Sequence, residues 1–295
     1  MTTEYQPVQN LDTISEVALS WSRQDIEQRI GFSGGQFTRV NNFLAVLLGV
    51  LLTAAFYGLL LPFRGTVFAG MFITKEGYLI PACICFFSCW SLAILFIKSR
   101  KLAFQRRSLA HLVVPKDHDF VLSAANVEVV TEKIYSIVDD PKHFVLFNRI
   151  VVALSNLRNL GRVPDVAEIL RSRADHDESV METSYAVVAG FVWAIPVLGF
   201  IGTVLGLSQA IGGFGTVLRT TEDIGQIKTA LQGVTGGLST AFETTLQALV
   251  AALLIQMILT FLKKSEQDFL DECSEYCATN IVNKLRIMPF DQQTN

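Results

Sequence analysis

Charge is what this chain has little of. Only 17% of its 295 residues are Asp, Glu, Lys or Arg, against 51% hydrophobic residues. That balance excludes an ordinary soluble domain and points to an integral membrane protein. A positive excess is also missing, since 24 basic residues face 27 acidic ones. Nothing is left over to neutralise phosphates, so nucleic acid is excluded as a partner. The five cysteines form no disulfide framework. Cys83, Cys85 and Cys89 sit inside an apolar run, and Cys273 and Cys277, one helical turn apart, read as free cytoplasmic thiols. No His and Cys cluster has metal-ligand spacing. There is no phosphate-binding glycine loop, nucleophile elbow or paired-carboxylate constellation, so the chain is not read as an enzyme and no metal or cofactor is expected. The first 42 residues are polar and mildly acidic, without the basic start and short apolar run of a signal peptide.

What is present is a set of long uncharged runs. Phe43–Phe63 and Gly77–Ile97 each hold 21 residues without a charge, and residues 183–218 hold 36; about 20 suffice to cross the hydrocarbon core. A fourth run, Leu238–Leu262, contains one acid, Glu243. Lys98, Arg100, Lys101, Arg106 and Arg107 follow the second run, and Lys263 and Lys264 follow the fourth. The excess of Lys and Arg places those ends in the cytoplasm, and the first cluster is also expected to contact anionic membrane lipids. The fold class expected is all-α and integral to the membrane: four transmembrane helices, a helical cytoplasmic insert, and long third and fourth helices reaching into the cytoplasm.

The chain then divides into a cytoplasmic N-terminal segment (1–42), the first two spans (43–97), the insert (98–182), the third and fourth spans (183–262) and a cytoplasmic C-terminal helix and tail (263–295). Residues 64–76 make a short connection. In the N-terminal segment Leu11, Ile14, Val17, Ala18 and Trp21 recur at helical spacing, either on the membrane surface or against the cytoplasmic domain; Gly34 and Gly35 end that pattern. The insert carries helical patterns from Val127 to Val138, Phe144 to Leu154 and Val166 to Leu170, with Pro115, Pro141 and Pro164 as boundaries. The third helix is expected to stop near Gly212-Gly213, residues 214–235 to form an external connection, and Gly233, Gly236 and Gly237 to mark entry to the fourth.

The third and fourth runs organise the rest. On a helix Pro196, Gly199, Thr203, Gly206 and Ala210 form a stripe of nearly bare backbone, the kind that lets helices approach closely in lipid. Pro196 reads as a kink, and Gly199, Gly202 and Gly206 as close-packing positions. Thr240, Glu243, Thr244 and Gln247 share a face opposite a leucine-rich side, and polar groups at that depth must face protein or water.

In these two segments, IPVLGFIGTVLGLSQAI (195–211) and GGLSTAFETTLQALVAALLIQ (236–256), the chain resembles the MotA/TolQ/ExbB family of ion-conducting motor subunits. The likeness covers roughly residues 145–265, and the four-span plan is closer to MotA than to the three-span members. The resemblance implies a homopentamer around a dimer of a single-span partner, similar to MotB, ExbD or TolR and carrying a transmembrane aspartate. It also implies the cytoplasmic (inner) membrane of a bacterium, and work drawn from a flow of H⁺ or Na⁺. In the family a hydroxyl on each of these two spans borders the ion path. These fall on Thr203 and on Thr245, with Thr244 the neighbouring alternative on the polar stripe. ExbB-like members carry an acid five positions before their threonine, where this chain has Thr240; its own acid is Glu243, read as either an interfacial carboxylate or a cation-attracting ring. A non-conducting scaffold that keeps the fold is the alternative function. Whether the ion is H⁺ or Na⁺, and which machine is driven, stay open at this point.

Overall fold

Backbone amides in lipid must bond within their own segment, so long apolar runs become helices. The computed structural model describes residues 18–32, 34–73, 79–115, 120–160, 163–220 and 224–285. Two one-turn helices, α1 (Trp21–Gln24) and α2 (Ile26–Arg29), precede α3 (Asn42–Leu60), α4 (Val67–Phe72) and α5 (Leu79–Arg106). Then come α6 (Val127–Ile137), α7 (Val145–Leu160), α8 (Val163–Ser184), α9 (Ala186–Thr220) and α10 (Ile224–Asn280), with short 3₁₀ turns between some of them. Among the described residues the only β pairings are two isolated bridges, Leu19 with Val138 and Leu122 with Leu285. Four stretches are long and apolar enough to cross a membrane: Asn42–Phe63, Leu79–Ala110, Asp165–Val217 and Ile224–Lys284. The protein is an all-α integral membrane protein, and its last helix runs for 57 residues.

The chain separates into two compact units. The apolar unit comprises 42–97 and 184–264. Its helices meet through small residues and rings: a Cβ built on Gly49 would lie 2.9 Å from the Trp90 Cα, so α3 touches the α5 backbone there, and the Trp90 and Phe191 rings lie 4.6 Å apart. Phe43, Leu59, Trp193, Phe200 and Phe261 are all more than half exposed on its surface, which suits a hydrocarbon surrounding rather than water.

The polar unit comprises 18–41, 98–183 and 265–285 among the described residues. Its core is the set marked by helical periodicity. Val127, Val130 and Ile134 of α6, Phe147, Ile150 and Leu154 of α7, Val166 and Leu170 of α8, and Phe269, Cys273, Cys277 and Ile281 near the end of the chain are all buried. Leu11, Ile14 and Val17 lie outside the described residues. Trp21 is described and is buried against this core, stacked on His143 at 4.8 Å. Asp139 is bonded by the Trp21 and Ser22 N–H groups at 2.9 and 3.2 Å and by the Ser20 hydroxyl at 2.9 Å. Burial alone would raise its pKa, but these donors outweigh it and hold the carboxyl below its usual range.

Three expectations need correction. The third helix does not stop at Gly212-Gly213 but continues through Gly215 to Thr220, and α10 starts at Ile224, well before Gly233. The described residues expected as a connection over 214–235 are therefore helical, in α9 up to Thr220 and in α10 from Ile224. Glycine costs about 1 kcal/mol in a helix, but in an uncharged run an unbonded backbone costs more. In the N-terminal segment the helix is already broken at Asp25, whose side chain caps α2 by accepting from the Gln28 N–H. The basic cluster after the second span is not a uniformly solvated, lipid-facing patch either. Lys98 is buried 3.2 Å from Glu266, and Lys101 is buried 2.5 Å from Glu27 and 3.9 Å from Asp25. Arg100, Arg106 and Arg107 remain exposed. Residues 27 and 266 are too far along the chain for any local spacing to announce them.

Candidate functional site

Within the apolar unit, α9 and α10 pack backbone to backbone. A Cβ on Gly199 would fall 2.5 Å from the Ala248 Cβ, and one on Gly202 2.8 Å from the Thr244 Oγ1. One on Gly206 would fall 3.2 Å from the Ala241 Cβ, and one on Gly237 2.8 Å from the Ala210 Cβ. Glycine is required at the first, second and fourth of these because real Cβ atoms do not approach so closely. Pro196 lies inside α9, three residues before Gly199. Having no N–H, it leaves the Val192 carbonyl without its usual helical donor.

This close approach brings two sequence-predicted hydroxyls together. The Thr203 and Thr245 Oγ1 atoms are 2.5 Å apart, a direct hydrogen bond between the helices. Each also reaches the Gly199 carbonyl at 3.0 Å, and Thr245 has a second backbone acceptor in Ala241 at 3.3 Å. A hydroxyl has one proton and two lone pairs. If Thr203 donates to Thr245, Thr245 donates to Gly199; if the direction reverses, Thr203 donates to Gly199. The same carbonyl is satisfied either way, so the pair can invert without moving a heavy atom. Such a pair can offer oxygen lone pairs to a cation or pass a proton along. It cannot store one, since threonine has no accessible protonation equilibrium near neutral pH.

The other predicted residues gather on a second face. Thr244 is buried beside Gly202, its hydroxyl donating to the Ala241 carbonyl at 2.9 Å. Thr240 donates to the Gly236 carbonyl at 3.1 Å. Thr240 and Thr244 line a cavity of about 770 Å³ with Gly202, Gly206, Gly213 and Gly236, and with the N-terminal end of α5. Glu243 is half-buried and accepts from Ser239 at 3.1 Å. Gln247 is buried and donates to the Met71 carbonyl of α4 at 2.9 Å; its Oε1 has no donor among the described residues. The structure thus pairs Thr203 with Thr245 and sets Thr244 with Thr240, rather than gathering all four.

Two participants escaped the sequence reading. The Gly199 carbonyl is one, because backbone acceptors carry no sequence signal beyond the glycine itself. Gln209 is the other: it lines the same cavity, and its place four residues after Leu205 in an apolar run was the available clue. Among the described residues no group of His, Cys, Asp or Glu could hold a metal ion.

Residues 147–275, which include both threonines and the glycines that join them, match the MotA/TolQ/ExbB proton channel family. No curated protein and no solved structure matches the chain.

Proposed function

From a segment that matches the MotA/TolQ/ExbB proton channel family, we propose that this chain is an ion-conducting subunit of a membrane motor or energising complex. Five copies ring a dimer of a single-span partner in a bacterial cytoplasmic membrane, with both termini cytoplasmic, and ion flow between ring and partner drives rotation or mechanical work. The observation that carries this reading is the Thr203–Thr245 hydroxyl pair, which bridges the third and fourth spans where the family's ion path would run.

The charge distribution supports the need for a partner. Glu243 is the only charged residue across 183–218 and 238–262, and 20 residues separate it from Lys263. At 1.5 Å per residue that is roughly 30 Å, about one hydrocarbon thickness, so Glu243 belongs at the outer mouth. A carboxylate at mid-depth must come from another polypeptide, and a transmembrane aspartate on the partner meets that need. The ion is H⁺ or Na⁺; the hydroxyl pair suits either.

The test is vesicles holding the chain with its co-purified single-span partner, driven by an imposed proton or sodium gradient. Thr203→Val and Thr245→Val are expected to cut ion uptake about tenfold or more, the equivalent of some 1.4 kcal/mol in a barrier, while Thr245→Ser keeps it. Both hydroxyls also bond helix carbonyls, which is all a scaffold would require. Valine variants that conduct like the parent, or a homo-oligomer that purifies without any single-span partner, would establish that alternative.

A further inference from the structure

The polar unit holds a second polar constellation, distinct in its residues from the α9–α10 hydroxyl pair. Arg149 of α7 is among the most deeply buried side chains of the protein, 1% exposed. Its Nε donates to Asp177 of α8 at 2.6 Å, and its Nη1 donates to the Ser274 hydroxyl of α10 at 3.0 Å. The remaining terminal nitrogen, Nη2, is buried with no hydrogen-bond partner among the described residues. An arginine presents five N–H donors in a fixed fork, and a buried donor left empty is strongly unfavourable. Folded proteins rarely tolerate that without an occupant.

The space beside it has the right character for one. Arg149 lines a cavity of about 440 Å³ together with Arg171, Ser274 and the small residues Ala167, Ala174 and Ala278. Arg171 is exposed and stands at the cavity wall. One guanidinium at depth with an unfilled donor and a second on the accessible side suit planar or tetrahedral oxyanions. The Ser274 hydroxyl, which accepts from Arg149, spends its own proton on the Leu270 carbonyl at 2.9 Å. The alanines keep the volume open, and Leu170, Cys277 and Val282 give it apolar walls. Asp177 pairs with Arg149, and no acid is among the residues that line the cavity with Arg171.

We propose that this cavity binds a small oxyanion, a phosphate or carboxylate group carried on a short apolar body, with Arg149 Nη2 and Arg171 as its donors. The bound anion braces α7, α8 and the C-terminal part of α10, which already meet at the Arg149 fork. The site would therefore make the packing of the polar unit respond to the concentration of a small metabolite. It stands independently of the ion-conduction reading.

The experiment titrates inorganic phosphate, and separately butyrate, into the full chain in detergent at constant ionic strength set with chloride, reading the midpoint of thermal unfolding. One or both oxyanions raise the midpoint saturably, whereas chloride does not. Arg171→Gln, a change on an exposed side chain, weakens the response about tenfold, as loss of one charge-assisted donor should. Ala278→Met fills the cavity and abolishes the response while the variant still unfolds cooperatively. Butyrate acting where phosphate does not assigns a carboxylate ligand, and the reverse assigns a phosphate. An equal shift with chloride, no shift with either oxyanion, or an undiminished shift in both variants overturns the site and leaves ordinary water as the occupant of the cavity.

Discussion

The two units settle their polar groups in opposite ways. In the polar unit full charges are buried in pairs: Lys98 with Glu266, Lys101 with Glu27, Arg149 with Asp177. In the apolar unit the same accounting is done by hydroxyls and amides borrowing carbonyls, as Thr203, Thr245 and Gln247 do. Surroundings explain the split. A buried ion pair needs dense hydrogen bonding to offset desolvation, and an N-terminal segment can wrap round to supply it. In the spans no such segment exists, so close approach of glycines takes over and weak polar contacts suffice, averaging about 0.6 kcal/mol in membranes. Strong, fixed pairs hold the polar unit together; weaker, invertible ones join the helices of the apolar unit.

The sharpest way to break this contrast is to remove a cation from the polar unit. Lys101→Met strands Asp25 and Glu27 in the interior and should cost about 3–5 kcal/mol, the penalty for leaving one partner of a buried pair. Denaturant unfolding in detergent reads it, and adding Glu27→Gln should recover part of the loss. A Lys101→Met protein as stable as the parent would mean the pairs are ornamental. The matching test in the apolar unit is smaller. Gly199→Ala places a methyl against Ala248 and should cost about 1–3 kcal/mol by overpacking. Gly212→Ala, where a Cβ meets nothing within 4 Å, should be neutral or stabilise by about 0.5–1 kcal/mol.

The smallest effects concern pH, and they have opposite signs at two carboxyls of the polar unit. Asp139 is held below its usual range, so its contribution is present above the unfolded value of roughly 3.9 and is lost as pH falls through the folded one. Asp139→Asn should therefore lower stability at neutral pH and make no difference in strong acid. Burial pushes Asp25 upward, with Lys101 pulling the other way. Its contribution is present below the unfolded value and is lost as pH rises through the folded one, so Asp25→Asn should gain stability at neutral pH. Unfolding midpoints measured from pH 3 to 8 would separate the two; curves shifting in the same direction would contradict the burial argument.

Much of the fold was legible because two patterns carry it. Uncharged runs of membrane length gave the spans, and the i, i+3, i+4 pattern from Val127 to Leu170 gave the core of the insert. Helix ends at the paired glycines were misjudged, since Gly212 and Gly213 break helices in water but not in an apolar run. Of the candidate site, Thr203 and Thr245 were named through the family likeness, while their direct bond depended on which faces of two helices meet, a matter of tertiary register. The buried lysines were illegible for a related reason: their partners lie far away in the chain, and a Lys cluster beside a span has an adequate explanation in topology alone.

Gly199, Gly202, Gly206 and Gly237 are tightly covered, yet Gly212, Gly213, Gly215, Gly233 and Gly236 meet nothing within 4 Å. Those outer turns hold their helical bonds with little side-chain support, so their amide protons should be among the first of the two spans to trade with deuterium. Anything that comes to rest in the 770 Å³ space beside them, whether a neighbouring helix or a lipid tail, would slow that exchange and so betray its presence, even if it bound too weakly to be isolated.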